Sequence, residues 1–154
     1  QLDLAEQIRN VLRATNLNPE FLRIELTESI LVKSQRAAEV FRELKEIKVQ
    51  LNLDDFGTGY SSLSYLSKYP IDRLKIDRSF IRNMEGSAQS GEIIRGILLI
   101  ARNLRINVVA EGVETAEQLD KLRAFGCEYA QGYFISQPLD PEAATRLIAS
   151  NPRW

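Results

Sequence analysis

Val49-Gln50-Leu51-Asn52-Leu53-Asp54-Asp55-Phe56-Gly57 is an apolar run closed by two adjacent carboxylates, an aromatic residue and a glycine. Residues 49–53 have the length of a buried strand rather than a helix. The same arrangement recurs on both sides. Upstream, residues 21–26 predict a strand running Arg23-Ile24-Glu25-Leu26 into Thr27-Glu28. Downstream, residues 73–76 predict Leu74-Lys75-Ile76 followed by Asp77, and residues 107–110 lead into Glu111-Gly112-Val113-Glu114. Residues 128–130 then run into Gln131-Gly132-Tyr133. Each of the five strands delivers an ionisable or amide group at or near its C-terminal end.

Helical periodicity fills the intervals. Residues 3–15 carry Leu4, Ile8, Val11 and Leu12 on one face, and residues 34–47 carry Ala37, Val40, Phe41 and Leu44. Further helices are predicted over 61–68, 92–104, 115–125 and 141–149. Thr115 is placed as an N-cap, Gly126 as a left-handed terminus and Pro141 in a first turn. Residues 16–19 predict a turn, and the small polar run 87–91 is expected to be the most mobile loop. Strands alternating with helices imply an α/β fold with a parallel sheet and right-handed crossovers. An open doubly wound sheet and part of a (β/α)8 barrel both satisfy this pattern.

The composition narrows the chemistry. The 154 residues are 44% hydrophobic and 27% charged, which suits one soluble globular domain, with no linker or low-complexity segment to divide 1–154. Closed α/β barrels usually need roughly 250 residues. The net charge of −1 supplies no global field for a nucleic-acid polymer or a membrane surface. No apolar run approaches the roughly 20 residues of a membrane span, and no secretory leader is evident. The single cysteine, Cys127, excludes an intrachain disulfide and is expected to be an inert packed thiol. These features predict a cytoplasmic domain, compatible with a parent anchored in a membrane elsewhere. The absence of histidine excludes a Ser-His-Asp triad, a Cys-His pair and any histidine-ligated metal within the chain.

Carboxylates, amides and lysine must therefore carry any reaction, and in parallel α/β folds the C-terminal strand ends form the active face. Glu25 and Lys75 interrupt apolar strand sequence, where charged residues need partners. Glu25, Asp54, Asp55 and Glu111 together would repel one another in a low dielectric, and divalent cations would cancel that charge. An all-oxygen donor set suits Mg²⁺, Mn²⁺ or Ca²⁺. Adjacent carboxylates can serve two ions, a standard device for phosphodiester hydrolysis.

Plainer roles exist for each residue taken alone. Asp54-Asp55, Thr27-Glu28, Asp77 and Glu114 could cap helices, Lys75 could form a structural ion pair, and Gln131-Gly132 could be a turn. Gly57-Thr58-Gly59-Tyr60-Ser61-Ser62, with Asp77 20 residues after Gly57, resembles a dinucleotide-binding loop. However, Ser62 replaces its third glycine, and Asp54 and Asp55 would repel a pyrophosphate.

Taken together, Glu25-Leu26-Thr27-Glu28-Ser29, Asp54-Asp55-Phe56-Gly57-Thr58-Gly59-Tyr60-Ser61-Ser62-Leu63, Leu74-Lys75-Ile76-Asp77-Arg78-Ser79-Phe80, Ala110-Glu111-Gly112-Val113-Glu114-Thr115 and Gln131-Gly132-Tyr133 resemble, in order and spacing, the conserved segments of the EAL domain. The resemblance implies a (β/α)8-like barrel that hydrolyses cyclic di-GMP to linear pGpG with two Mg²⁺ or Mn²⁺ ions. It makes Glu25 a ligand of the first metal, Asp54 the bridging ligand and Asp55 a ligand of the second. Lys75 is similar to the lysine that holds or polarises the attacking water. Glu111 resembles a metal ligand or general base, and Gln131 a glutamine near the metal-bound waters. Glu28 resembles the glutamate that steadies the loop Phe56, Gly57, Thr58, Gly59, Tyr60, Ser61 and Ser62, which in the family couples dimerisation to metal binding.

The family's Glu-Ala-Leu motif and the asparagine-bearing strand after it do not occur in the 154 residues. The expectation is thus a truncated EAL domain with about five of the eight barrel strands, inactive as an isolated fragment, from a parent joined to sensory or cyclase-type modules. Open sheet edges near residues 22–26 and 129–133 predict a homodimer or a swapped assembly. The alternative is a catalytically silent cyclic di-GMP receptor or interaction module.

Overall fold

The computed structural model describes residues 4–33, 37–59 and 63–154. Five strands, β1 (Arg23–Thr27), β2 (Gln50–Phe56), β3 (Arg73–Ile76), β4 (Asn107–Glu111) and β5 (Tyr129–Gln131), form one sheet in the order β1-β2-β3-β4-β5. Every neighbouring pair is parallel. The monotonic order resolves what periodicity left open. A doubly wound sheet reverses its strand order at a switch point, which places helices on both faces. Right-handed crossovers stepping always in one direction keep them on one face, the arrangement of a barrel sector.

The two faces differ accordingly. Leu51, Leu53, Leu74, Ile76 and Ala110 pack into the core with Phe41, Leu44, Ile94, Ala101 and Leu122. The alternate positions carry Glu25, Asn52, Asp54, Arg73, Lys75, Glu111 and Gln131. Period-two alternation separates the two sets, so the inner face of this parallel sheet is polar.

Among the described residues the helices are α1 (Leu4–Thr15), α2 (Glu28–Lys33), α3 (Ala37–Glu46), α4 (Leu63–Lys68), α5 (Arg78–Asn83), α6 (Ala88–Leu104), α7 (Ala116–Ala124) and α8 (Pro141–Ala149). Thr115 caps α7 in a reciprocal box with Gln118, and Pro141 opens α8 behind the N-cap Asp140. Gly126 is left-handed, with φ +80°. Asn18 caps a single 3-10 turn over Pro19–Phe21, inside the predicted turn and strand start.

Residues 88–91 are not the expected loop. The Ser87 hydroxyl accepts a hydrogen bond from the Ser90 N–H at 3.3 Å, and α6 begins at Ala88. The small polar run is the first turn of a long helix, because serine satisfies the otherwise unpaired N-terminal amides. Gly91 is buried; a Cβ there would lie 3.7 Å from the Phe125 ring. Two six-residue helices, α2 and α5, also escaped periodicity, being too short to develop a stripe. No helix among the described residues is long and apolar enough to cross a membrane.

Gly96, in the middle of α6, offers a direct stability test. A Cβ there would meet nothing within 4 Å. Gly96→Ala is expected to stabilise the fold by about 0.5–1 kcal/mol, because alanine loses less backbone entropy on entering a helix. A higher urea midpoint with an unchanged slope is the expected result; an unchanged or lower midpoint would contradict it.

Candidate active site

Lys75 rises from β3 into the polar face, with 7% of its surface exposed. Its ammonium lies 2.8 Å from Glu25 Oε1 on β1, 3.0 Å from Asp54 Oδ1 on β2 and 2.8 Å from Glu111 Oε1 on β4. Three donors thus meet three carboxylates from three other strands. Burial alone would lower the lysine pKa, but the hydrogen bonds it donates to Glu111, Glu25 and Asp54 prevail and hold it well above the usual range. Glu111 shifts upward from the ordinary carboxylate value. Burial is the main cause and the nearby charges of Asp54 and Glu25 add to it, against the opposing pull of Lys75.

The Lys75 shift sets a pH dependence. A group whose folded pKa exceeds its unfolded value contributes stability that is complete below the unfolded pKa, about 10.4 for lysine, and is lost as pH rises through the folded pKa. The stability difference between the wild-type chain and Lys75→Met should therefore be constant from neutral pH to about pH 10 and shrink in more alkaline solution. Urea titrations across that range would show it. A difference independent of pH up to the alkaline limit of folding would refute the charged-ring description.

Asp54 and Asp55 face the same side for a specific reason. Unbroken alternation would send adjacent strand residues to opposite faces. Between Leu53 and Phe56, β2 takes three steps while β3 takes two from Leu74 to Ile76, a bulge. Asp55 has φ +55°, left-handed backbone that aspartate tolerates better than most residues. The bulge re-aims its carboxylate. Oxygens of Asp54, Asp55 and Glu111 all lie within 4.8 Å of one another. This hard-oxygen donor set fits a divalent cation. Glu25 lies outside that group and joins it through Lys75.

The loop after Asp55 is tightly tied. Thr58 donates from its N–H and its hydroxyl to the Asp55 carbonyl at 3.3 and 2.9 Å. Gly57 has φ +99°, and a Cβ there would fall 2.6 Å from the Phe80 ring. Phe56 is buried. Glu28 is also buried, and its Oε2 would be 3.4 Å from a Cβ on Gly59, so it lies against this loop. Ser61 and Ser62 lie outside the described residues, with Tyr60. Gln131 pairs in register with Glu111, its side chain exposed.

Asp77 takes its plainer role: it caps α5 by accepting from the Ser79 N–H at 3.0 Å. Burial would raise its pKa, but the hydrogen bonds from Ser79 and Arg78 lower it below the ordinary value. Burial pushes the Cys127 thiol upward, away from the reactive thiolate. Asn52 is an addition to the predicted site. It is buried in register between Glu25 and Arg73, and its Oδ1 has no hydrogen-bond partner among the described residues. Its position two residues before Asp54, on the same strand face, was the available signal.

The family model of the EAL domain matches residues 1–138. The chain belongs to the EAL-domain family. The cyclic di-GMP phosphodiesterase NbdA of Pseudomonas aeruginosa is 44% identical over 146 residues, which are 94% of this chain and 19% of NbdA. The solved complex of the PaMucR phosphodiesterase with c-di-GMP matches with a TM-score of 0.88 and 36% identity, over 92% of this chain and 58% of that one. A manganese and cyclic di-GMP complex of Klebsiella pneumoniae BlrP1 matches with a TM-score of 0.84 and 32% identity, over 90% of this chain and 36% of that one. The chain thus spans about a fifth of the length of the curated relative. The solved EAL domains are TIM barrels, and the five parallel strands form a sector of that fold.

Proposed function

We propose that this chain carries the chemistry-bearing strands of a cyclic di-GMP phosphodiesterase that hydrolyses its substrate to linear pGpG with two divalent ions, Mg²⁺ or Mn²⁺. The observation that carries the proposal is the convergence of Asp54, Asp55 and Glu111 within 4.8 Å, beside an ammonium that also reaches Glu25. Its family membership, and the manganese and cyclic di-GMP in a relative's structure, support it.

In this reading Asp54 and Asp55 from β2, with Glu25 and Glu111 from the flanking strands, would hold the ions. Bound ions would neutralise the phosphodiester and acidify an attacking water. Lys75 supplies a positive charge where a phosphoryl oxygen gains negative charge. Glu111, placed beside Asp54 and Asp55 at the end of β4, is suited by position to accept a proton from that water. Gln131, beside Glu111 on the next strand, orients the water by hydrogen bonding. Glu28, set against Gly59, holds the loop that shapes Asp55.

The Glu-Ala-Leu glutamate of the family's first metal site is not among the 154 residues. Hydrolysis is therefore assigned to the longer natural product that contains the chain, and the isolated chain is expected to turn over little or no substrate. The 19% coverage of NbdA supports further modules in that product. Among the described residues β1 and β5 each pair on one side only, which supports self-association of the isolated chain through an edge.

Hydrolysis followed by product chromatography with Mn²⁺ or Mg²⁺, in the isolated chain and in the longer product, tests the proposal. Metal-dependent pGpG formation by the longer product is expected. A longer product that binds cyclic di-GMP but never cleaves it would establish a silent receptor instead.

A further inference from the structure

We propose that Lys75 is a displaceable internal counter-cation, so that a divalent ion enters the site only as the ammonium releases Asp54 and Glu111. This rests on the assignment of Asp54, Asp55 and Glu111 as metal ligands. An ammonium has three N–H donors. In the structure all three are spent, on Glu25, Asp54 and Glu111 at 2.8, 3.0 and 2.8 Å. Two of these carboxylates also belong to the three-carboxylate group suited to a cation. The same oxygens therefore have two claimants.

Charge explains why both are needed. Glu25, Asp54, Asp55 and Glu111 bring four negative charges to the strand ends, and Lys75 brings one positive charge. In a half-buried setting such repulsion is costly, and Lys75 relieves part of it from within the chain. An incoming ion relieves more, because it carries two charges and can also engage Asp55, which Lys75 does not contact. Its entry has two costs: the breaking of ammonium–carboxylate hydrogen bonds and the repulsion between two cations in one pocket. Both vanish when residue 75 is neutral.

Displacement also turns one side chain to two uses. While its donors are engaged, Lys75 holds three strand ends together. Once released from Asp54 and Glu111, the same donors are free for a phosphoryl oxygen. The lysine thereby links ion entry to readiness for the substrate.

Calorimetric titration of the chain with Mn²⁺ tests this in the wild type, Lys75→Met and Lys75→Arg. Lys75→Met should bind Mn²⁺ about tenfold more tightly or better, and Lys75→Arg, which keeps the charge, should stay near the wild type. Equal or weaker binding by Lys75→Met, with binding by the wild type intact, would overturn the counter-cation role and leave the metal site standing. No binding by either protein, in the isolated chain and in the longer product alike, would overturn the metal assignment itself, and this inference with it. Should Lys75→Met fail to fold, the wild type decides alone. The Lys75 ammonium protons, observed by NMR, should lose their exchange protection as Mg²⁺ is added. Protection that persists at saturating Mg²⁺ would refute displacement.

Discussion

Asp54→Asn should lower cyclic di-GMP turnover by about 10³-fold or more, equivalent to about 4 kcal/mol of transition-state stabilisation, in whichever form of the protein hydrolyses the dinucleotide. The substitution keeps the shape and removes the charge. Asp54 takes part in both arrangements at the strand ends, the carboxylate group with Asp55 and Glu111 and the ring around Lys75. The Asn Oδ1 can still accept from Lys75, so the fold should survive with only a modest change in its urea midpoint. Divalent-ion affinity should fall together with turnover. Steady-state rates at saturating Mn²⁺, with the urea curve as a control, would separate the two effects. Turnover within tenfold of the wild type would remove Asp54 from the metal site.

Gly132→Ala should be the most damaging small substitution for folding. A Cβ on Gly132 would collide with the backbone N and O of Val113, with the Val113 carbonyl carbon at 2.7 Å. Flexible side chains can move aside, whereas these backbone atoms are held. The Val113 N–H donates to the Gln131 carbonyl at 3.1 Å, and the Val113 carbonyl accepts from the Phe134 N–H at 3.0 Å. Either the β4 and β5 ends separate or these bonds break. A loss of about 3 kcal/mol or more, or of cooperative unfolding altogether, is expected. Gly86→Ala is the control, because a Cβ there meets nothing within 4 Å. Urea denaturation of both variants decides; equal stability would show that the turn can relax.

Much of this architecture was legible because parallel strands and amphipathic helices have different periods. The strand at residues 73–76 and the helix at 141–149 agree with the sequence reading to the residue. Strand order was not legible: apolar runs state that strands are buried but not which neighbours they choose. Glu25 and Lys75 stood out as charges in apolar sequence. That one ammonium reaches Glu25, Asp54 and Glu111 together depends on the stagger of four strands, which no local pattern encodes. The left-handed Asp55 was equally hidden, since the bulge that creates it exists only relative to β3. Residues 88–91 differ from the expected loop because small polar residues suit a loop and a first helical turn alike, and Ser87 is a helix cap.

The strand order also bears on how the chain assembles. Arg23 pairs with Gln50, Asn52 with Arg73, Arg73 with Asn107 and Val109 with Tyr129, so each strand after the first docks on the one made just before it. Sheets whose partners lie far apart in sequence close long loops before any contact rewards them, and they fold slowly. Here each crossover holds only one or two of the described helices. During synthesis the growing sheet always exposes the edge that the next strand will cover, so assembly can keep pace with the ribosome from the amino terminus onward.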